Sequence, residues 1–372
     1  MPYHKKSGDV WQMKKIIALV VAAMLLLTGC GGDGPSKEEV IEKYGSDTLK
    51  LYNWGQYVGD FVIHDFEKEY GVDVVYEMYD SNEMMYTKLQ AGDSYDVLVP
   101  SDYMIERLIK DDMLQKIDLT KIPNMENVTE DLKGLPYDPN NEYSVPYFWG
   151  SVGIVYNKNT VDKKDLEEEG YNILLDKKYA GKIYMYDSER DSFMVALKAL
   201  GYSMNTDDEK EIKAAYKWLI KQRKTMDPVY VADEVIDGMI NGNKDMAIVY
   251  SGDAATIINE NMDMGFYLPK EGTNLWSDAM VIPKNAENPK LAHEFINYIL
   301  TYDASADNSE TVGYTSSNQE VMDHLSGEDG NFYRNEAYIP RSGYEKDEVF
   351  RDNPVLKERL TELWIKVKAS GN

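Results

Sequence analysis

Residues 49–99 read LKLYNWGQYVGDFVIHDFEKEYGVDVVYEMYDSNEMMYTKLQAGDSYDVLV. Short apolar and aromatic runs alternate here with segments of helical spacing. Leu49–Tyr52 reads as strand, and Asp60–Tyr70 as a helix stopped by Gly71. Val72–Met78 follows as strand, Asn82–Ala91 as a helix stopped by Gly92, and Tyr95–Val99 as strand. A β-α-β-α-β run of this kind predicts a mostly parallel sheet.

A second run follows. Ser151–Tyr156 and Lys182–Tyr186 read as strands, and Phe193–Leu200 as a helix before Gly201. The spacing predicts a longer helix over Asp207–Gln222, opened by a capping box of Thr206 and Glu209. Met246–Tyr250, Met264–Leu268 and Ala279–Ile282 are further strands; Pro289–Leu300, with Asn288 as N-cap, and Val355–Lys368 are amphipathic helices. Two α/β units in one chain suggest two lobes, and open α/β sheets bind ligands beyond the carboxyl ends of their strands.

The residues just after the strands are therefore the informative ones. They are Asn53-Trp54-Gly55-Gln56-Tyr57, Pro100-Ser101-Asp102-Tyr103, Asp187-Ser188-Glu189-Arg190-Asp191 and Ser251-Gly252-Asp253. Each holds an aromatic ring, a carboxylate or both. Ser101 and Asp253 could be helix N-caps and nothing more. Asn274-Leu275-Trp276-Ser277-Asp278 makes the same pairing two residues apart, so an extended backbone turns ring and carboxylate to one side. Such a wall suits an organic cation, stacked on the ring with its ammonium at the carboxylate.

The amino terminus carries Lys14-Lys15, a 12-residue apolar run Ile16–Leu27, and Leu27-Thr28-Gly29-Cys30. A spanning helix needs about 20 apolar residues, so the run reads as an export signal, with Met13 as an alternative start. Cys30 is the single cysteine, which excludes internal disulfides and thiol catalysis in the body. Residues 1–29 hold Lys5, Lys6, Lys14, Lys15 and Asp9, a net +3, so the full charge of −25 becomes −28 from Cys30 onward. An acidic surface repels nucleic acid and favours cationic partners. Gly31–Glu39 reads as a flexible tether, with the fold beginning near Thr48.

Leu51-Tyr52-Asn53-Trp54-x-x-Tyr57-Val58, Ser81-Asn82-Glu83, Tyr95–Tyr103, Val145-Pro146-Tyr147-x-Trp149-Gly150, Trp276-x-Asp278 and Gly313-Tyr314-Thr315 are ordered motifs. Together they resemble the spermidine/putrescine-binding proteins of bacterial ABC importers, from about residue 48 to the carboxyl terminus. The resemblance implies a two-lobed periplasmic-binding-protein fold of type II, α/β, with the ligand cleft between the lobes. It implies a polyamine ligand, putrescine and/or spermidine, whose methylenes meet aromatic rings and whose ammonium groups meet carboxylates. Carried over by motif, Trp54, Tyr57, Ser101, Tyr103, Asp191, Tyr250, Asp253, Trp276, Asp278 and Tyr314 are the expected contacts. Leu27–Cys30 resembles a lipobox, which implies cleavage before Cys30 and its acylation.

The expected organisation is a signal peptide over 1–29 and a lipid-anchored tether over 30–47. Lobe 1 is expected from 48–146 plus about 278–315, and lobe 2 from 147–277 plus about 316–372. The crossings between them are expected near Val145–Trp149 and Leu275–Asp278. Permease subunits of the importer are the expected protein partners of a monomer; no cofactor, metal or catalytic residue is expected. Two departures stand out: Ser188 replaces an acid that spermidine binders carry three residues before position 191, and Tyr250 replaces a Trp. Gly252-Asp253 is closer to the putrescine-preferring branch, and the family's carboxyl-terminal glutamine has no match near Phe350-Arg351-Asp352.

The same residues admit other readings. Paired carboxylates beside rings also describe a glycoside hydrolase, but HExxH, G-x-S-x-G and P-loop strings are missing and the acids sit on separate loops. A sugar site would favour Asn, Arg and Gln, and an iron site paired Tyr or His. His4, His64, His293 and His324 are scattered, and the last three are read on polar helix faces.

Overall fold

The computed structural model describes residues 34–371. The export signal, Cys30 and the start of the tether lie outside the described residues. The ordered body begins earlier than the expected Thr48, with helix α1 over Lys37–Tyr44. Ser36 and Glu39 form a reciprocal capping box that satisfies the free amide donors there, and Val40 and Tyr44 are buried against the body. Lys37–Glu39 is therefore helix, where a flexible tether was expected.

The first unit runs β1 (Thr48–Trp54), α2 (Val62–Tyr70), β2 (Asp73–Tyr79), α3 (Asn82–Gln90), β3 (Val97–Leu98) and α4 (Asp102–Lys110). Val62 and Phe66 of α2 are buried four residues apart on one face, and Gly71 at φ 67° closes the helix in the left-handed conformation. Phe66 meets Phe295 at 5.0 Å between ring centroids, edge to face. Truncating so well buried a ring to alanine costs about 3–5 kcal/mol.

The chain continues with β4 (Ser144–Asn157), α5 (Lys163–Glu169), β5 (Ile183–Tyr186), α6 (Glu189–Ala199), α7 (Glu209–Met226), β6 (Val229–Val231), α8 (Glu234–Ile240), β7 (Met246–Tyr250) and α9 (Ser251–Glu260). It ends with β8 (Met264–Tyr267), β9 (Leu275–Val281), α10 (Pro289–Ile299), α11 (Tyr302–Val312), β10 (Thr315–Ser316), α12 (Gln319–Ser326) and α13 (Pro354–Ala369).

The strands follow the order β2-β1-β3-β9-β4-β7-β5-β6, with β8 and β10 also paired to β4. β1 is parallel to β2 and β3, and β5 to β6 and β7, whereas β4 and β9 run antiparallel to their neighbours. The expectation of a mostly parallel sheet thus holds inside each unit and fails between them. The reason is β4: its first half pairs with β9, and its second half with β7 and β8. One 14-residue strand belongs to both units, and the expected strand over Ser151–Tyr156 is only its second half.

Two local expectations are corrected. The box of Thr206 and Glu209 does not form: Asp208 is the N-cap of α7, accepting from Lys210 N at 2.7 Å, while Thr206 Oγ1 donates to Glu211. His293 is buried rather than on a polar face. Its Nε2 accepts from Asp118 N at 3.0 Å, which leaves Nδ1 to donate to Pro289 O at 2.6 Å, a neutral tautomer.

A cleft of tyrosines and buried carboxylates

β9 carries the centre of the site. Its pairing with β4 sets Trp276 opposite Gly150 and Asp278 opposite Phe148. Trp276 and Asp278 are both buried, at 8% and 6% exposure. Gly150 is required there, since a Cβ at that position would lie 2.5 Å from the Trp276 ring. Tyr57 Oη, beyond the end of β1, donates to Asp278 Oδ2 at 2.7 Å, and Ser101 bridges to the Asp278 backbone. Burial pushes the Asp278 carboxyl up to about 6, against the hydrogen bonds from Tyr57 and Ser101 that hold it down.

Tyr314, just after α11, lies across the middle. Its ring is 5.1 Å from Trp276 and 5.7 Å from Tyr57, and its hydroxyl donates to Asp253 Oδ1 at 3.2 Å. A Cβ on Gly252 would sit 1.3 Å from this ring, so the Gly252-Asp253 pair makes room for Tyr314 as well as supplying the acid. Asp253 is pushed up to about 7, by burial first and by the charge of Asp233, against hydrogen bonds from Tyr314 and Tyr186.

Asp191 lies in the first turn of α6, which starts at Glu189, before the expected Phe193, because Ser188 caps it and accepts from Asp191 N at 3.3 Å. Tyr250 Oη donates to Asp191 Oδ2 at 2.8 Å. Asp191 Oδ1 is buried without a hydrogen-bond partner among the described residues. Burial raises its pKa, and Ser188 and Tyr250 oppose the rise. Tyr250 in turn faces Trp276 at 6.1 Å and Tyr186 at 4.9 Å.

Tyr57, Ser101, Asp191, Tyr250, Asp253, Trp276, Asp278 and Tyr314 thus form one connected group. Trp54 and Tyr103 have ties of their own. Trp54 Nε1 donates to Val99 O at 2.9 Å with the ring against Tyr79, and the Tyr103 hydroxyl accepts from Asn82 Nδ2 at 3.0 Å. Neither Ser101 nor Asp253 is held as a side-chain N-cap: Asn82 donates to Ser101 Oγ at 3.1 Å, and Asp253 lies inside α9.

Two residues escaped the motif reading. Asp102 is fully buried, accepting from Tyr103 N at 2.6 Å and Ser277 N at 3.4 Å, and burial with the nearby Asp278 charge pushes it up to about 8. Its place between Ser101 and Tyr103 was the available signal. Tyr186, the last residue of β5, was counted as strand only. The unmatched stretch near Phe350 is a strap: Arg351 Nη2 meets Glu106 at 2.6 Å, and Arg107 Nη2 meets Asp352 at 2.8 Å.

The arrangement sets tyrosine hydroxyls on carboxylates within a wall of aromatic rings. A two-lobed α/β frame with a buried cleft of rings and carboxylates defines a solute-binding protein. The family model for bacterial extracellular solute-binding proteins matches residues 62–333, and the chain belongs to that family. Among its relatives is the spermidine/putrescine-binding periplasmic protein of Salmonella typhimurium, 35% identical over 307 residues, covering 81% of this chain and 87% of the relative. The putrescine-binding periplasmic protein SpuD of Pseudomonas aeruginosa is 34% identical over 347 residues, covering 86% and 92%. A crystal structure of the spermidine/putrescine ABC transporter substrate-binding protein PotD from Streptococcus pneumoniae superposes with a TM-score of 0.76 at 33% identity, covering 87% of this chain and 99% of that one. No helix among the described residues is long and apolar enough to cross a membrane.

Proposed function

We propose that this solute-binding protein captures a polyamine, putrescine and/or spermidine, and hands it to the permease subunits of an ABC importer as a lipid-anchored monomer. The observation that carries the reading is the set of three carboxylates, Asp191, Asp253 and Asp278, each accepting a tyrosine hydroxyl inside one aromatic cleft. A polyamine is a chain of methylenes punctuated by cations. Burying an unpaired ammonium costs several kcal/mol, so each cation needs a carboxylate. The open Oδ1 of Asp191 suits one such ammonium. Ring contacts add about 0.5–2 kcal/mol each. Relatives named for binding spermidine and putrescine fit the same ligand class.

The lobe division proposed is 48–146 with about 278–315, and 147–277 with the remainder. Within that remainder, helix α12 alone is moved to the first lobe, since it packs on α11 and β10. The crossings are then β4 and β9. Anchoring rests on the lipobox at Cys30: cells given labelled palmitate should mark the wild type and not Cys30→Ser.

Calorimetric titration of the chain lacking its first 30 residues, with putrescine, spermidine and spermine, tests the reading. Micromolar or tighter binding of at least one, about −8 kcal/mol, is the expected result. Heat from none of the three would remove polyamines as the ligand.

A further inference from the structure

Arg190 stands beside Asp191 in the first turn of α6 and faces across the cleft. Its guanidinium carbon lies 3.5 Å from the centroid of the Tyr103 ring, and its Nη2 lies 3.6 Å from Glu83 Oε1. The Arg190 side chain is only 13% exposed. Glu83, on α3, is held a second time by Lys357 of α13, whose Nζ is 3.0 Å away. Glu83, Asn82 and Tyr103 belong to the first α/β unit; Arg190 and Lys357 sit on helices packed together in the second. These contacts span the two units. Arginine is suited to the place, because its planar cation can stack on a ring while its edge meets a carboxylate. The strap spans the units as well: Arg351 and Asp352 meet Glu106 and Arg107 of the first, Glu348 accepts from Lys198 of α6 in the second, and the Phe350 ring lies 5.9 Å from the Arg190 guanidinium.

We propose that Arg190 is a positioning residue that couples ligand capture to closure: its stack on Tyr103 and pair with Glu83 latch the cleft over whatever Asp191 holds. The two residues share one helical turn, so an ammonium held at Asp191 and the Arg190 latch favour the same closed arrangement, each also without the other. This proposal rests on the solute-binding reading, and its first test needs no ligand. Small-angle scattering of the ligand-free protein should give a larger radius of gyration for Arg190→Gln than for wild type. Equal radii would overturn the latch, whichever amine binds.

The second test is stopped-flow tryptophan fluorescence with putrescine. Arg190→Gln should raise koff about fivefold, the order expected of one largely buried cation–π contact, while kon stays within about twofold. Arg190→Lys should recover part of the loss, since it keeps the charge without the planar stack. A wild-type koff in Arg190→Gln, or a loss confined to kon, would overturn the proposal. If Arg190→Gln fails to fold, Glu83→Gln reads the same latch, and an unchanged radius and koff there would overturn it equally. Wild type that binds no amine sinks the polyamine reading alone.

Discussion

Asp278 and Asp191 are both buried carboxylates that accept one tyrosine hydroxyl, yet their backbones are held differently. Asp278 belongs to β9, locked by ladder pairing to β4 and bridged to Ser101. Asp191 rides on the first turn of a helix, fixed by the Ser188 cap, with one oxygen open. A carboxylate in a central strand cannot shift without breaking the ladder, whereas one at a helix end can adjust by a rotamer or a slight swing of the turn. Asp278 is thus a rigid anchor and Asp191 an adaptable reader, and Asp253, also in the first turn of a helix, belongs with Asp191.

The largest expected effect falls on the anchor. Asp278→Asn keeps the shape but leaves a buried ammonium without its charge partner, a loss of about 2–5 kcal/mol, or at least about thirtyfold in affinity. Calorimetry should find that loss for putrescine and spermidine alike. Equal affinities in wild type and variant would remove Asp278 from the site and break the comparison.

A smaller and ligand-dependent loss is expected at the reader end. Asp191→Asn and Asp253→Asn should each weaken binding by about three- to tenfold. The ratio of putrescine to spermidine affinity should change with them but not with Asp278→Asn. Because Ser188 supplies no second acid beside Asp191, putrescine should bind wild type at least as tightly as spermidine. A clear spermidine preference would overturn the length reading.

The pH response sharpens the same contrast. The folded, ligand-free cleft holds Asp278 up at about 6 and Asp253 at about 7, above the ordinary 3.8, and so keeps protons the unfolded chain has lost. Their contribution to stability is complete below about pH 4 and disappears as pH rises through about 6 and 7. Affinity runs the other way, since an ammonium needs ionised partners. Putrescine affinity should rise from about pH 5.5 to about pH 8, while the ligand-free Tm falls relative to Asp253→Asn. A flat affinity over that range would mean the carboxylates are already ionised.

The smallest effect is the control. The Glu168 side chain is exposed and pairs with Lys164 at 3.5 Å, so Glu168→Gln should leave affinity and Tm nearly unchanged.

Most of the first unit was legible because its signals are local. Gly71 ends α2 and Ser81 caps α3 through Met84 N, and in the second unit residues 246–250 likewise form the strand read from their apolar run. The Trp276-x-Asp278 wall was legible for the same reason, as period-two geometry needs no distant partner. What sequence could not give were contacts set by long-range pairing. β4 reads as an ordinary short strand until both of its halves find different neighbours. Asp102 reads as a helix-start acid until Ser277, 175 residues away, closes over it. Thr206 and Glu209 have the right spacing for a capping box, but Asp208 sits nearer the helix start and takes the role. The sequence by itself determined which residue types stand at the strand ends, hence a cleft for an organic cation. Only the tertiary structure decided which tyrosine serves which carboxylate and how the two units meet, because those distances arise when separate elements pack and exclude water.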